Sequence, residues 1–236
     1  MPYFYFSYFD PLYITVALIA LVIMLAAQIL VKSRYSKYSA FQNSRGITGC
    51  EAARQVLELN GVKGVRIEKV SGKLSDHYDP RSNVIRLSAE VYDSSSVAAV
   101  GIASHEAGHA VQYAEKYFPI KVRTAIIPFA QHGPMIGIIL LLVGSALNMF
   151  NLTLLGLILF ASTFIFQFAT LPVEFNASSR AMSAIRKGNL LFGDEIGGAR
   201  KVLTAAALTY VAAMLQSLLT LLYYAFRFLG RNNRNR

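Results

Sequence analysis

Charged residues are spread very unevenly along the chain. Three stretches, 11–31, 124–173 and 202–226, contain no Asp, Glu, Lys or Arg. An apolar helix of about 20 residues is long enough to cross the hydrocarbon core of a bilayer. The first and third stretches each accommodate one crossing, and the second accommodates two, separated by a polar turn at 148–151. The pattern therefore predicts four membrane-spanning helices.

The segment 32–123 carries the polar residues of a water-facing part. Thr48 and Glu51 have the spacing of a capping box, which predicts a short helix that ends at an Asn-Gly pair. Serines at 94–96 precede a second helix, expected over 97–116. Between the helices, runs bounded by turn residues predict a small antiparallel sheet. Its strands are expected within 64–70, 73–78 and 83–87, with a turn at 79–82.

The composition fits this division. The 236 residues are 54% hydrophobic and only 15% charged, whereas soluble domains carry about 25% charged residues. An ordinary soluble domain and a disordered chain are both excluded. The expected fold class is a mainly α membrane protein, with about four transmembrane helices and a small α+β part containing a short antiparallel sheet. A further helix is expected from Pro172 to Gly188, because proline starts helices and glycine ends them.

Cysteine content and net charge narrow the chemistry further. Cys50 is the single cysteine, so no intrachain disulfide and no cluster of thiolate metal ligands can form. The net charge of +10 comes from basic residues that flank the membrane segments. This distribution favours contact with the lipid bilayer and disfavours nucleic acid as a partner.

The sequence HEAGH at 105–109 lies within the expected helix 97–116. His105 and His109 are four residues apart, so both imidazoles lie on one helical face and can reach the same metal ion. Glu106, beside them, is placed to activate a water molecule. The alternative is a pair of histidines packed or hydrogen-bonded in the helix without metal. The pattern favours a catalytic site with zinc as cofactor.

A catalytic zinc site uses three protein ligands, so the helix leaves one ligand missing. The other histidines are His77 and His132, and carboxylates are the remaining candidates. Glu174 follows the second uncharged stretch directly, where an unpaired carboxylate is costly. Metal binding would stabilise a carboxylate at that position. An interfacial glutamate at the start of a helix is the alternative.

Membrane topology provides an independent check. The third ligand can meet the HEAGH helix only if the chain crosses the membrane an even number of times between them, and two crossings fit. Segments 32–123 and 174–201 hold 14 and 5 basic residues, whereas 1–10 and the turn at 148–151 hold none. By the positive-inside rule, the metal site faces the cytoplasm. The basic tail conflicts with this rule if the last segment spans, so a re-entrant or interfacial last helix is the alternative to a span.

These features divide the chain into five functional segments. They are an N-terminal membrane anchor (1–31), a cytoplasmic α+β catalytic part with the HEAGH helix (32–123), paired transmembrane helices (124–173), a helical segment carrying the third ligand (174–201), and a fourth membrane segment with a basic tail (202–236).

At these motifs the sequence resembles the YugP-like neutral zinc metallopeptidases, membrane relatives of the HtpX and CAAX prenyl protease group of gluzincins. The resemblance covers nearly the whole chain and implies a zincin-like catalytic domain. It also implies a zinc endopeptidase in which His105, His109 and Glu174 hold the metal and Glu106 is the general base. The stretches that carry it are GITGCEAARQVLELNGV, SDHYDPRSNVIRLS, SHEAGHAVQ and LPVEFNASSRA.

The sequence departs from the wider gluzincin pattern at one position. Four residues after the ligand Glu, gluzincins carry an Asp that orients a zinc-bound His, and here that residue is Ser178. A hydroxyl can still accept a hydrogen bond from an imidazole, but Asn176 or Ser179 could serve instead. The mechanism also needs a donor for the developing oxyanion. The candidates are His77, Tyr78, Tyr113 and Arg180, each with a structural role as the alternative.

The expected function is hydrolysis of peptide bonds by glutamate-assisted attack of zinc-bound water. The substrates would be proteins or peptides, above all membrane proteins reached in the bacterial plasma membrane. An edge of the expected sheet could pair with an extended substrate. The alternative function is a catalytically silent zinc-binding scaffold or adaptor, for which the water-activating carboxylate Glu106 would have no use.

Overall fold

The computed structural model describes residues 10–73 and 75–232, the last five of them by their backbone alone. Expectations about residues 1–9 and about the end of the basic tail lie outside the described residues. The expected fold class, mainly α with a small sheet, is confirmed. The elements are α1 (Pro11–Ser39), α2 (Gly49–Leu59), β1 (Arg66–Val70), β2 (His77–Asp79), β3 (Val84–Ser88), α3 (Ala89–Tyr92), α4 (Val97–Ala114), α5 (Phe118–Ala146), α6 (Phe150–Phe160), α7 (Ser162–Lys187) and α8 (Asp194–Asn232).

Four helical segments are long and apolar enough to cross a membrane, as expected from the uncharged stretches. Large apolar side chains on them are exposed, including Leu18 on α1 and Phe168 on α7. A helix that is apolar on every face belongs in lipid rather than in water. The four segments are Pro11–Ser39, Phe118–Ala146, Phe150–Lys187 and Asp194–Arg227.

The chain divides into two compact units. The apolar unit comprises Val122–Thr170 and the described parts of 1–27 and 210–236, and the site unit comprises Gln28–Lys121 and Leu171–Thr209. The five functional segments expected from the sequence stay a prediction.

In the apolar unit, small residues allow α5 and α6 to pack closely. A Cβ on Gly137 would lie 2.7 Å from the carbonyl oxygen of Gly156, so neither position has room for a larger residue. At another point of the unit, Asp10, just before α1, accepts a hydrogen bond from the Tyr223 hydroxyl at 3.0 Å and pairs with Arg227 at 3.5 Å. The C-terminal part of α8 therefore lies beside the start of α1.

In the site unit, the helix starts follow the local sequence signals. Thr48 Oγ1 accepts from the Glu51 amide at 3.2 Å, and Glu51 accepts from the Thr48 amide at 2.8 Å, which confirms the capping box of α2. Ser96 Oγ accepts from the Ala99 amide at 3.2 Å and caps α4. The buried faces of α2 and α4 pack with β3, whose Ile85 is fully buried.

The sheet is mixed, not antiparallel as expected. Its order is β1-β3-β2, with β1 parallel and β2 antiparallel to β3. The strands β1 and β2 therefore lie on opposite sides of β3 and never pair. The expectation was wrong because turn residues mark where strands end but do not specify which strands become neighbours. The turn at 79–82 is confirmed, since Asp79 Oδ1 accepts from the Arg81 amide at 2.9 Å.

Pro172 does not start a helix. It lies inside α7, which begins ten residues earlier at Ser162 and ends at Lys187, just before the expected stop at Gly188. Proline cannot donate the backbone hydrogen bond of a helix interior. Apolar membrane helices nevertheless tolerate it, because neighbouring groups satisfy the freed carbonyl, and α5 likewise contains Pro128 and Pro134.

Candidate metal centre

Two helices of the site unit bring His105, His109 and Glu174 together. His105 and His109 lie one turn apart on α4, with ring centroids 4.7 Å apart, and Glu174 comes from α7. Glu174 Oε2 is 3.3 Å from Nε2 of His105 and 3.6 Å from Nε2 of His109. The Glu174 side chain is only 4% exposed. Three potential ligand atoms thus converge in a nearly buried position.

The spacing of these atoms fits a tetrahedral metal ion. Zinc binds imidazole nitrogen and carboxylate oxygen at about 2.0–2.2 Å, so two ligands of one tetrahedral ion lie about 3.4 Å apart. The two nitrogen–oxygen distances of 3.3 and 3.6 Å match that value, and all three ligand atoms lie within 4.8 Å of one another. Two neutral imidazoles and one carboxylate are also a donor set that zinc uses in catalytic sites. The residues therefore fit zinc.

Gly108 permits the close approach of α4 and α7. A Cβ at this position would lie 2.7 Å from the carbonyl oxygen of Ala177, a distance that real side chains do not tolerate. Ala177 is fully buried and lies three residues after Glu174. The glycine between the two histidines is therefore what lets α7 come near enough for Glu174 to reach their imidazoles.

A chain of hydrogen bonds holds the back of His109. Its Nδ1 lies 3.0 Å from Oε1 of Gln112, which is fully buried. Gln112 Nε2 donates to the Val173 carbonyl at 2.8 Å and to Asn176 Oδ1 at 2.9 Å. Asn176 Oδ1 also accepts from Arg180 Nε at 2.7 Å. This chain runs from α4 to α7.

Arg180 fixes the direction of every bond in this chain. A guanidinium can only donate, so Asn176 presents its oxygen to Arg180 and to Gln112 Nε2. Gln112 must then present its own oxygen to His109, whose Nδ1 carries the proton. The Nε2 atom of His109, which faces Glu174, is then the atom available to bind a metal ion.

Glu115 holds Arg180 in place from the end of α4. Its carboxylate is 2.7 Å from Arg180 Nη2, and the guanidinium also lies 5.8 Å from the centre of the Tyr117 ring. The hydrogen bond from Arg180 lowers the pKa of Glu115 below its ordinary value. Glu115 is therefore charged at neutral pH and anchors the far end of the chain that reaches His109.

Ser178 occupies the corresponding position behind His105. Its Oγ lies 3.1 Å from His105 Nδ1. A serine hydroxyl can accept a hydrogen bond from Nδ1–H, which leaves Nε2 of His105, the atom that faces Glu174, to bind a metal ion. The hydroxyl carries no charge, whereas the aspartate of the wider gluzincin pattern does. The network through Gln112 therefore gives His109 more support than Ser178 gives His105.

The centre concentrates negative charge. Glu106 is 8% exposed and follows His105 directly on α4. Burial on its own lowers the pKa of His109, but the hydrogen bond to Glu174 and the charges of Glu106 and Glu174 outweigh it and raise that pKa above its ordinary value. Two carboxylates beside two imidazoles attract a cation.

The remaining candidates have other neighbours or fall outside the group of metal-capable residues. The group of metal-capable residues in the described chain includes neither His77 nor His132. His77 is exposed on β2, with Nδ1 2.7 Å from the Ser75 carbonyl oxygen. Tyr113 packs against Tyr78 at 5.5 Å between ring centroids, and the Tyr78 hydroxyl donates to Asn83. The contact between Tyr78 and Tyr113 places β2 beside α4, one helical turn beyond His109. Arg180 is bound to Asn176 and Glu115.

The sequence pattern alone did not identify Gln112 as the partner of His109. A signal for it existed, because it follows His109 by three residues on the same helix and therefore lies on the same face. It is also the only amide side chain in an α4 rich in Ala and Val. Asn176 was considered as a direct partner of a histidine, but its link to His109 runs through Gln112.

Comparison with known proteins agrees with this centre. A family model described as "Putative neutral zinc metallopeptidase" matches residues 13–229. The chain belongs to this family. It is 45% identical over 224 residues to the "Putative membrane protease YugP" of Bacillus subtilis (strain 168), a match that covers 95% of this chain and 100% of that protein. No solved structure matches the chain.

Family membership confirms the resemblance seen in the sequence and the choice of zinc as cofactor. The structure positions His105, His109 and Glu174 to bind a metal ion. A metallopeptidase hydrolyses peptide bonds, so its substrates are proteins or peptides. The Bacillus relative is named as a membrane protease, and four helices of this chain are apolar and long enough to span a bilayer.

Proposed function

We propose that the protein is a membrane-embedded zinc endopeptidase of the gluzincin type. In this proposal His105, His109 and Glu174 hold the metal and Glu106 is the general base. The observation that carries it is the convergence of two Nε2 atoms from α4 and one carboxylate from α7, at spacings that suit a tetrahedral ion. Glu106, in the same turn of α4, supplies the carboxylate that a scaffold would not need.

The protein side chains divide the chemistry between them. When bound, zinc supplies a Lewis acid that polarises the scissile carbonyl and makes a water molecule more acidic. Glu106 takes a proton from the attacking water and later gives it to the leaving amine nitrogen. Gln112 and Ser178 accept hydrogen bonds from the Nδ1–H groups of His109 and His105, which holds each ring with Nε2 towards the metal position.

The edge of the sheet at β2 is the proposed place for the substrate backbone. Within the described chain β2 pairs with β3 alone, so its other edge is available to an extended peptide. The contact between Tyr78 and Tyr113 places β2 beside α4, one turn beyond His109. Recognition through backbone hydrogen bonds gives low side-chain specificity. N-methylation of backbone amides in a cleaved peptide should slow its hydrolysis, and equal rates would contradict this pairing.

The proposed substrates are membrane proteins, cleaved at the cytoplasmic face of the bacterial plasma membrane. The positive-inside distribution of Lys and Arg supports the cytoplasmic side, and the name of the Bacillus relative supports the membrane setting. A transmembrane protein and the soluble peptide of its cytoplasmic loop, offered together to the enzyme in liposomes, test this. Preferential cleavage of the peptide would contradict the substrate class without affecting the peptidase assignment.

The peptidase assignment itself is tested with the full chain in detergent. Casein and a model membrane protein are offered to the wild type and to Glu106→Gln, with and without a chelator. Cleavage by wild type alone, abolished by chelator and restored by added zinc, is the expected result. Equal cleavage by both proteins would show that Glu106 is not required for the reaction. Zinc binding without cleavage of any substrate would favour the scaffold.

A further inference from the structure

The helical hairpin of α7 and α8 borders a cavity. The two helices are joined by residues 188–193, and the site-unit part of the hairpin lines this open cavity of about 360 Å³. Arg186 and Arg200 line it near the loop, and Phe175 and Ala207 line it farthest from the loop. The hydroxyls of Ser179, Ser183 and Thr204 lie between these ends.

The charged end of the cavity lacks a counter-ion. Arg186 and Arg200 are both exposed, and neither has an ion-pair partner within the described parts of the chain. The nearby acid Glu195 is already engaged, since it accepts from the amides of Ser44 at 2.7 Å and Phe192 at 2.9 Å. Two guanidiniums with adjacent hydroxyls form a donor set that suits a phosphate group.

The other end of the cavity adjoins the lipid-facing sequence. On α7 the uncharged stretch ends at Val173, two residues before Phe175, and on α8 it begins at Val202, next to Leu203 of the cavity wall. The apolar end of the cavity therefore lies at the start of the membrane-spanning sequence, and the arginines lie on the water side. A ligand that fits is an anion with an apolar chain attached.

The cavity lies on the Nδ1 side of His105, whereas the potential ligand atoms converge on the Nε2 side. Ser178 lines the cavity and contacts His105 at Nδ1, whereas the Nε2 atom of the same ring faces Glu174. A peptide undergoing cleavage must approach the metal from the Nε2 side. This position argues against the cavity as part of the substrate cleft and favours a bound lipid.

We propose that this cavity is a binding site for one anionic phospholipid. The phosphate binds Arg186 and Arg200 together with the neighbouring hydroxyls, and an acyl chain lies along Phe175 and Leu203. Because Ser178 belongs both to the cavity wall and to the support of His105, the lipid lies one side chain away from the metal centre. The proposal does not depend on the peptidase assignment.

Native mass spectrometry of the full-length protein in detergent tests the proposal. Phosphatidylglycerol and phosphatidylcholine are titrated separately into wild type, into the double variant Arg186→Gln/Arg200→Gln, and into Lys187→Gln/Lys201→Gln. The control removes the same two charges from neighbouring positions on the same helices that do not line the cavity. We expect the first variant to bind phosphatidylglycerol about tenfold more weakly than wild type, and the control to bind it nearly as well.

Three results would overturn the proposal. Equal weakening in both double variants would show general surface attraction and no defined site. Equal binding of phosphatidylcholine and phosphatidylglycerol by wild type would remove the role of the anionic headgroup. Displacement of the bound lipid by inorganic phosphate or by an acidic peptide at concentrations similar to that of the lipid would show that the acyl chain does not contribute.

Discussion

Arg180 can only donate hydrogen bonds, and this property orients the neighbours of His109. Asn176 turns its oxygen to the guanidinium, Gln112 turns its amide to Asn176, and the Gln112 oxygen is left for the imidazole. Partners of this kind hold a metal-binding histidine in one tautomer and one ring orientation. A large part of the metal affinity is therefore expected to depend on Gln112, a neutral residue that contacts His109 and is not itself a metal ligand.

Replacing Gln112 by methionine tests this assignment. The substitution keeps the volume of the side chain but removes the acceptor of the hydrogen bond from His109 Nδ1 and the two bonds that Gln112 Nε2 donates to α7. We expect zinc affinity to fall about 10- to 100-fold, with the helical content unchanged. Competition with a fluorescent zinc chelator measures the affinity. Gln55→Met, on α2, is the control and should bind zinc as wild type does. Unchanged affinity in Gln112→Met would contradict the proposed orientation of His109.

Gly108 and Gly101 lie on the same helix and offer a matched pair of substitutions. An alanine Cβ at position 108 would lie 2.7 Å from the Ala177 carbonyl oxygen, whereas one at position 101 would lie 3.4 Å from the Ala199 Cβ, an ordinary contact. We expect Gly108→Ala to destabilise the protein by about 1–3 kcal/mol and to lose zinc, because α7 must move away.

Thermal unfolding and metal analysis of both glycine variants check this. Gly101→Ala should keep its zinc and unfold within a few degrees of wild type. If Gly108→Ala also kept full zinc occupancy and stability, the close approach of α4 and α7 would not be required to bring Glu174 to the histidines.

Asp79 stabilises the turn between β2 and β3 through three hydrogen bonds. Its carboxylate accepts from Ser82 Oγ at 2.6 Å, from Arg86 Nη1 at 2.9 Å and from the Arg81 amide at 2.9 Å. These bonds, with Ser82 first, lower the pKa of Asp79 well below its usual range. An aspartate titrates near 3.9 in an unfolded chain. The charged group therefore contributes its full stabilisation above about pH 4, and this is lost as the pH falls further.

Asp79→Asn should accordingly be less stable than wild type at neutral pH, and the difference should shrink as the pH is lowered from about 5 towards 3. Thermal unfolding midpoints of the two proteins in detergent, compared at each pH, measure it. A difference that stays constant over this range would show that the charge on Asp79 does not stabilise the turn.

Local signals predicted some elements well and others poorly, for physical reasons. Thr48 and Glu51 cap α2 through contacts three residues apart, and the two histidines of HEAGH share a face because they are one turn apart. Both features depend on residues close in the chain, so they could be predicted from the sequence. The predicted start of a helix at Pro172 was wrong, because Pro172 lies inside the apolar helix α7. The parallel pairing of β1 with β3 depends on contacts between strands, which turn residues do not encode.

The orientation of the membrane segments in the whole chain is predicted from charge counts. For the last segment these counts are ambiguous. Its basic end opposes the positive-inside rule, and the sequence left a span and a re-entrant helix both open. Within the apolar unit, Asp10 accepts a hydrogen bond from Tyr223 and pairs with Arg227, which is the arrangement expected of a span. The ion pair also neutralises one of the basic residues of the tail.

Reporter fusions test the resulting topology in cells. Green fluorescent protein fused after Lys187 should fluoresce, because this position is expected on the cytoplasmic side. The same reporter fused after the C-terminal residue should stay dark, and alkaline phosphatase fused there should be active, because α8 is long and apolar enough to cross the bilayer and is expected to do so. Fluorescence from both fusions would show that α8 returns to the cytoplasmic side.

Glu174 is proposed to complete a zinc site in which Glu106 performs acid–base chemistry. Bound zinc per molecule, measured by mass spectrometry of the purified full chain, tests it most directly when wild type, Glu106→Gln and Glu174→Ala are compared. We expect one zinc in wild type and in Glu106→Gln, with cleavage by wild type alone, and little or no zinc in Glu174→Ala. Full zinc occupancy in Glu174→Ala, or loss of zinc in Glu106→Gln, would contradict the claim.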